Sequence, residues 1–223
     1  MAAVNPTLRC RAMGGFSLVE LMLSLSLGLA LSGAMLQGLL AEGQNGARFS
    51  RLLRERAAQR RTLELVKHDL AQATAVSETP ELEQHGCNLA GRSAVLFLRT
   101  AAGPVTYSVG TAPSAIWRGR VLMRCGPAFG LDGLMSGGSQ TLNRVVMDAL
   151  AAKPQIWDGC LNRLSAAGST AVVDLSKSSE QPFSACLDRD LDLLVVRIEQ
   201  QFGTAQGERD QRIVLEQVIG FGA

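Results

Sequence analysis

Residues 14–41 read GGFSLVELMLSLSLGLALSGAMLQGLLA, and this stretch decides the fold of the amino-terminal part of the chain. From Phe16 to Ala41 it holds 26 residues and a single charged side chain, Glu20. A helix needs roughly 20 apolar residues to cross a bilayer. The sequence therefore predicts a membrane-spanning helix over residues 16–41, preceded by a short basic segment with Arg9 and Arg11.

Two ordinary targeting signals fit this stretch but leave Glu20 without a role. The first is an uncleaved signal anchor. The second is a secretory signal cut after Ala34, with the small residues Ser32 and Ala34 around the cut and the two arginines in front. A carboxylate near the start of an apolar core is costly and needs a partner or a task, unless it reaches out to the interface.

Residues 14–20, GGFSLVE, resemble the cleavage motif of bacterial type IV prepilins: glycine before the cut, phenylalanine after it and glutamate fifth in the mature chain. The resemblance implies that residues 1–15 are a leader peptide and that a prepilin peptidase cuts after Gly15 and methylates Phe16. Gly14, Gly15 and Phe16 are then the processing residues. A motif this short needs its structural context to confirm it.

The resemblance also gives Glu20 a task, as the residue of filament assembly. In a filament, the Glu20 carboxylate of one subunit would lie near the Phe16 ammonium of its neighbour inside an apolar bundle. Leaving either charge alone there would cost several kcal/mol. The pair would therefore favour both association and the correct axial register.

A minor subunit is expected rather than the bulk subunit of a filament. Many major pilins carry a proline near the end of the apolar stretch, where this chain has Gln37 and Gly38. Residues 105–108 and 116–124 look like paired strands of W-type minor pilins and J-type pseudopilins of type II secretion. That likeness only ranks the subfamily, because any two amphipathic strands joined by a turn could give it.

Beyond the span, residues 42–76 keep apolar side chains at intervals of three and four, which predicts an amphipathic continuation of the same helix. We expect one helix from residue 16 to about residue 76. No proline interrupts residues 16–79, and Pro80 lies in a polar loop over residues 77–86. Residues 77–223 are then a β-rich head.

Within the head, the pattern predicts mostly antiparallel strands. The expected fold class is α+β and pilin-like, with the long amino-terminal helix packed on an antiparallel sheet. Strands are predicted at residues 94–99, 105–109, 116–124, 171–175, 191–202 and 212–219, and a short helix at residues 141–152.

Five cysteines become four once Cys10 is assigned to the leader. The remaining four can form two disulfides in three connectivities. Their wide spacing, without a Cys-x-x-Cys pair, fits an oxidising compartment better than a zinc site, and buried free thiols are the alternative. The disulfide candidates are Cys87, Cys125, Cys160 and Cys186.

Charge gives no strong case for a nucleic-acid partner. The chain has 22 basic and 20 acidic residues, and loss of Arg9 and Arg11 with the leader would leave 20 of each. Arginines at residues 48–61 make DNA contact a hypothesis, although Glu55 and Glu64 are spaced to pair with Arg51 and Arg60.

No enzyme is expected, and no catalytic residue, cofactor or metal. A catalytic site needs convergent groups, and the two histidines are His68 in the helix and His85 in a loop beside Cys87. Asp188, Asp190 and Asp192 alternate like part of a calcium loop, but Leu193 stands where the tight turn needs glycine. The glycines of residues 126–138 lack the context of a phosphate-binding loop.

The expected function is therefore that of a minor pilin, a structural subunit in type IV pilus assembly or initiation. A minor pseudopilin of type II secretion is the alternative, and a secreted soluble domain cut after Ala34 is the second alternative. The expected partners are other pilins or pseudopilins, the prepilin peptidase and the inner membrane. More positive residues follow the span than precede it, against the usual charge rule, but the motif and the cysteines place the head outside the cytoplasm.

Overall fold

The computed structural model describes residues 15, 17–77, 87–138, 141–157, 160, 164, 171–176, 180–203 and 211–221. The chain divides into two compact units, Met1–Leu53 and Arg54–Ala223. The described ranges contain the long helix α1, single helical residues at Cys160 and Leu164, and an antiparallel sheet of nine strands, which confirms the α+β class. The elements are α1 Leu18–Ala71, β1 Ala73–Ser77, β2 Ser93–Thr100, β3 Gly103–Thr111, β4 Arg120–Gly126, β5 Leu142–Leu150, β6 Val172–Asp174, β7 Phe183–Asp188, β8 Leu193–Phe202 and β9 Gln211–Gly220.

The long helix α1 is 54 residues long and begins at Leu18, two residues after the predicted start at residue 16. Ser17 precedes it, and the Ser17 Oγ accepts a hydrogen bond from the Glu20 N–H at 3.2 Å, as an N-cap residue does. Its interior is rich in Leu, Ala and Met, which favour helix, and contains no proline.

The predicted end of the helix, near residue 76, is wrong. α1 ends at Ala71, and residues 73–77 form β1, which pairs with β2 from Ala73↔Thr100 to Ser77↔Phe97. The Thr74 hydroxyl donates to the Arg99 carbonyl at 3.0 Å. The helix-like spacing of apolar residues in the sequence continues past Ala71 because Val76 also packs against the core, although it lies in a strand.

The sheet follows chain order at first and then departs from it. The first five strands form an antiparallel meander, β1 to β5, and the sheet continues through β8, β7 and β6, with β9 on β8. The junction between β5 and β8 is one residue pair, Leu150↔Gln200. Along the rest of that side of β8, from the pair Phe183↔Ile198 to the pair Asp188↔Leu193, the neighbouring strand is β7.

Most predicted strands are confirmed, in β2, β3, β6, β8 and β9. The strand predicted at residues 116–124 starts later, at Arg120, because a turn with the Trp117 N–H bonded to the Ser114 carbonyl at 3.3 Å occupies its first residues. The sequence analysis missed β7, Phe183–Asp188, whose six residues are all buried and show no alternation.

The helix predicted at residues 141–152 is wrong, because the segment forms β5. Its pairing with β4 is irregular, with register shifts between Arg120 and Leu122 and between Leu122 and Met123. Ala149 also has a positive φ of 55°. Such bulges insert extra residues and break the two-residue period of a strand, so the apolar positions imitate a helical spacing.

The main core lies between the carboxyl-terminal part of α1 and the sheet. Leu63, Val66 and Leu70 are nearly inaccessible and belong to one cluster with side chains from seven strands. A second, smaller cluster lies on the other face of β8, which alternates Leu194 and Val196 into the main core and Val195 into the second. The second cluster contains Trp157, Cys160, Leu164, Cys186 and Val195.

Candidate processing and assembly site

The start of α1 leaves the predicted cleavage point accessible in this chain. Gly15 is exposed, and a Cβ added there would meet nothing within 4 Å. Helix begins only at Leu18, and Ser17 caps it by accepting hydrogen bonds from the Glu20 and Leu21 N–H groups, so Gly15 lies before the helix. Gly14, Phe16 and the leader before them lie outside the described residues.

Residues 18–41 present apolar side chains on all sides of α1, and none is buried within the chain. By length and composition α1 can span a membrane. A helix that is apolar all round is stable only when lipid or other helices cover it. The large exposed apolar side chains here are Leu18, Val19, Leu21, Met22, Leu23, Leu25, Leu27, Leu29, Leu31, Met35, Leu36, Leu39 and Leu40.

The serine hydroxyls of this segment are satisfied inside the helix. Ser24 donates to the Leu21 carbonyl and Ser26 to the Leu23 carbonyl, both at 2.9 Å. Ser32 donates to the Gly28 carbonyl at 2.8 Å. These bonds remove the cost of placing hydroxyls in an apolar medium, so the serines need no partner in a neighbouring chain.

Glu20 is the remaining charged side chain of the segment, and it is exposed in the first turn of α1. A carboxylate there is favoured by the positive end of the helix dipole. It forms no ion pair with any residue in the described ranges. The sequence analysis assigned Glu20 to filament assembly, and that role stays a prediction.

The four head cysteines form two pairs. Cys87 pairs with Cys125 of β4, with a Cα–Cα distance of 6.1 Å, and Cys160 pairs with Cys186 of β7, with a Cα–Cα distance of 5.6 Å. Of the three connectivities that the sequence allowed, the fold selects this one. All four cysteines are buried, and the disulfides link Cys87, in a loop, and Cys160, a helical residue, to the strands β4 and β7.

A buried ionic cluster, which the sequence analysis missed, joins α1 to the sheet. The Asp69 carboxylate of α1 receives two hydrogen bonds from Arg124 of β4: the Arg124 Nε at 2.7 Å and the Arg124 Nη2 at 2.9 Å. The Tyr107 hydroxyl of β3 donates to the same carboxylate. Asp69 and Tyr107 are fully buried, so these bonds compensate charge that water cannot reach.

The environment of this cluster shifts two pKa values. Burial, together with the negative charge of Asp69, raises the pKa of Tyr107 well above its usual value. Burial by itself would lower the pKa of Arg124, but the hydrogen bonds and charge of Asp69 outweigh it and raise that pKa. Both shifts keep Tyr107 neutral and Arg124 charged, which suits a structural contact rather than proton transfer at neutral pH.

His68, one of the two histidines considered for chemistry, fastens a loop instead. Its Nε2 lies 2.6 Å from the Gly133 carbonyl, and its ring lies 5.0 Å from that of Phe129. Gln72 accepts a hydrogen bond from the Met135 N–H at 2.9 Å. The glycine-containing loop after β4 is thereby held against the end of α1. His85 lies outside the described residues.

Two acidic groupings turn out to be structural. Asp188, which the sequence analysis compared with a calcium-loop carboxylate, is fully buried, and its Oδ1 accepts hydrogen bonds from the N–H groups of Asp190 at 3.0 Å and Leu191 at 3.1 Å. Asp188 therefore closes the turn between β7 and β8. The second grouping is Asp174 with Cys160 and Cys186, whose possible metal-ligand atoms lie within 4.8 Å of one another. The two sulfurs are bonded to each other in a disulfide, so the Asp174 carboxylate is the one group left that could bind a metal.

The arginine-rich part of α1, residues 48–61, contains one buried acidic residue, Glu55. Glu55 is 7% exposed and lies 3.5 Å from the Arg118 Nη2, and the Gln200 Nε2 donates to it at 3.2 Å. Glu64 pairs with Lys67 at 2.9 Å. Arg56 and Arg60 are exposed. DNA contact by these arginines stays a prediction.

Comparison of the chain with family models, curated proteins and solved structures finds no match. The chain is an α+β protein with one amino-terminal helix able to span a membrane and a head containing two disulfides.

Proposed function

We propose that the chain is a minor pilin, anchored in the bacterial inner membrane and cut after Gly15 before it joins a type IV pilus. The observation that carries this proposal is Glu20, the lone charge of the apolar residues 16–41, which has no cation beside it in the described chain. An exposed Gly15 five residues earlier supports it.

The physical reason is charge compensation after processing. Cutting after Gly15 creates an ammonium group on Phe16, and the helix segment that carried the subunit in lipid then packs among other such helices. Glu20 and a neighbour's Phe16 ammonium neutralise each other there, whereas a lone carboxylate would be penalised. The exposed leucines of residues 18–40 contact lipid in the membrane-anchored subunit and neighbouring helices in the filament.

Mass spectrometry of the mature amino terminus in the native host tests processing. The expected first residue is methylated Phe16. A Gly15→Val variant should keep its leader, while Gly28→Val, at an equally open position within α1, should be processed normally. A mature chain beginning at Met35 would instead establish the secreted soluble domain.

Filament incorporation tests the role of Glu20. Glu20→Gln keeps shape and removes charge, so we expect it to be processed but largely absent from sheared filaments. Glu42→Gln removes another exposed carboxylate of α1 and should incorporate like the unchanged chain. Equal incorporation of both variants would refute the proposed ion pair.

A minor pseudopilin of type II secretion is the second candidate, because the strand likeness of residues 105–108 and 116–124 is shared by W-type minor pilins and J-type pseudopilins. Its processing and helix packing would be the same. Deletion of the gene separates the two: loss of piliation, twitching or transformation supports the pilus, and loss of exported enzymes with normal pili supports secretion.

A further inference from the structure

We propose that the turn after β4 of one chain docks, through Leu131 and Asp132, into the groove between α1 and β5 of a second copy. This inference goes beyond the proposed function and does not depend on it, because it rests on the head and needs neither processing nor Glu20. Both surfaces belong to the same compact unit, Arg54–Ala223. Since the two surfaces differ, the contact is head-to-tail: each copy presents its turn to one neighbour and its groove to another.

Residues 128–136 form a small hairpin, called here the Leu131 hairpin, with Leu131 at its tip. Backbone hydrogen bonds close the tip, from the Gly130 N–H to the Leu134 carbonyl at 2.8 Å and from the Gly133 N–H to the Gly130 carbonyl at 3.1 Å. Leu131 is fully exposed and Leu134 is 58% exposed. Because the backbone of the tip is already held, Leu131 loses little conformational freedom when it docks.

The base of the Leu131 hairpin is fixed to the head. Met135 is buried, and its N–H bonds to Gln72 of α1. The Phe129 ring lies 5.0 Å from the His68 ring and 4.7 Å from the Arg124 guanidinium carbon. A single exposed leucine is common on protein surfaces, but here two exposed leucines stand on a tip whose base is anchored on several sides.

The groove between α1 and β5 has room for the tip. Its volume is about 290 Å³, and it is lined by Ala58, Arg61, Thr62, Leu65 and Val146. The Thr62 hydroxyl donates to the Val146 carbonyl at 3.2 Å, so it does not need a partner from the occupant. A cavity of roughly 150 Å³ can hold a benzene molecule, so the groove admits a leucine side chain. Leu131 does not fill the groove of its own chain, since it is fully exposed.

Two arginines beside the groove carry charge that the chain itself does not neutralise. Arg61 lines the groove, and its hydrogen bond goes from Nε to the Ala57 carbonyl at 3.3 Å. Arg144 is exposed, two residues before Val146, and it lies on the sheet face that carries α1 because it pairs with Arg124. Neither Arg61 nor Arg144 forms an ion pair within the described ranges. The groove is therefore apolar inside and positively charged at its rim.

Asp132 gives the Leu131 hairpin the matching charge. It is exposed, its Oδ1 accepts a hydrogen bond from the Leu134 N–H at 3.1 Å, and it has no ion pair in the part of the chain that the structure describes. With Leu131 in the groove of a second copy, the adjacent Asp132 reaches Arg61 at the rim. Complementary charges around an apolar contact fix its register. A second copy is the occupant because its own hairpin exposes the leucine and the carboxylate that this groove suits.

Photo-crosslinking of the full chain in detergent tests the contact. One copy carries a diazirine-bearing aliphatic amino acid at position 131, and the other is ¹⁵N-labelled, so mass spectrometry separates cross-links between chains from those within one chain. We expect cross-links from position 131 to residues 58–65 of the labelled copy. Cross-links confined to one chain, to detergent or to other parts of the labelled copy would overturn the proposal, as would cross-linking in the native host to a different protein and not to a copy.

Variants of the labelled copy separate the groove from general charge attraction. Arg61→Glu should lower the cross-link yield at least about tenfold, because it places a like charge beside Asp132. Arg56→Glu, at an exposed arginine of α1 outside the groove, should leave the yield unchanged. Leu131→Asp should also leave it unchanged, since the labelled copy offers its groove and not its hairpin. Equal yields with Arg61→Glu and Arg56→Glu, or a loss with Leu131→Asp, would overturn the proposal.

Discussion

Asp69 shows at the scale of one residue how a charge is kept inside the head. Its carboxylate is inaccessible to solvent and receives three hydrogen bonds, two of them from a guanidinium. Removing one partner of a buried ion pair destabilises the fold more than replacing both partners by apolar residues, because the remaining charge stays buried without compensation. Asp69 therefore fixes the contact between α1 and strands β3 and β4.

Asp69→Ala should lower the free energy of unfolding by about 3–5 kcal/mol, because Arg124 stays buried without its partner. Urea unfolding of the full chain in detergent measures this. Glu64→Ala is the matched control: it removes an exposed carboxylate paired with Lys67 and should cost less than about 1 kcal/mol. Similar losses in the two variants would contradict the structural role of the cluster.

Tyr107 should give the head a stability loss at high pH. The folded chain raises the pKa of Tyr107, so it keeps the phenol proton where the unfolded chain, with a pKa of about 10, loses it. Its contribution is full below pH about 10 and is lost as the pH rises towards the folded pKa. Tyr107→Phe should flatten that part of the stability curve.

Tyr107 is the single tyrosine of the chain, so tyrosinate absorbance reports it directly. In the folded chain, ionisation should begin well above pH 10, and in urea it should occur near pH 10. Ionisation at the same pH in both states would show that the phenol is not buried.

Among the elements, α1 combines two kinds of surface in one helix. Its first part is apolar on every side and uncovered in the chain, while its last part buries a stripe containing Leu63, Val66 and Leu70. The first surface suits lipid or neighbouring helices, and the second suits a sheet. The apolar repeat of the sequence predicts both halves because each follows from composition and spacing alone.

Leu70→Ala should destabilise the head by about 2–5 kcal/mol, because it leaves a cavity in the main core. Leu53→Ala, at a position 49% exposed on the same helix, should change stability by less than about 1 kcal/mol. Urea unfolding of both variants makes the comparison. If Leu53→Ala proved the more costly, the buried stripe would be assigned to the wrong side of α1.

At the scale of the whole molecule, two disulfides stabilise the two sides of the head separately. Cys87–Cys125 closes a loop of 38 residues and Cys160–Cys186 one of 26. The chain-entropy argument gives each about 3–4 kcal/mol. The second disulfide also forms part of the cluster that covers the outer face of β8.

Peptide mapping without reduction should recover Cys87 joined to Cys125 and Cys160 joined to Cys186. Replacing both cysteines of one pair by alanine should cost about 2–5 kcal/mol in urea unfolding, and the other pair should still form. A crossed pattern, with Cys87 joined to Cys160 and Cys125 joined to Cys186, would contradict the sheet order. Cys125 lies in β4 and Cys186 in β7, and other strands separate β4 from β7 in the sheet.

The sequence by itself determined the apolar helix, the α+β class, most strands of the head and the position of Glu20 as the single charge of residues 16–41. These follow from local composition and period, which need no knowledge of distant residues. Only the tertiary structure decided that residues 142–150 form a strand, that the helix ends at Ala71, which cysteines pair, and that Asp69 meets Arg124. Each of these depends on partners far away in the chain, whose strand pairing and burial override the local pattern.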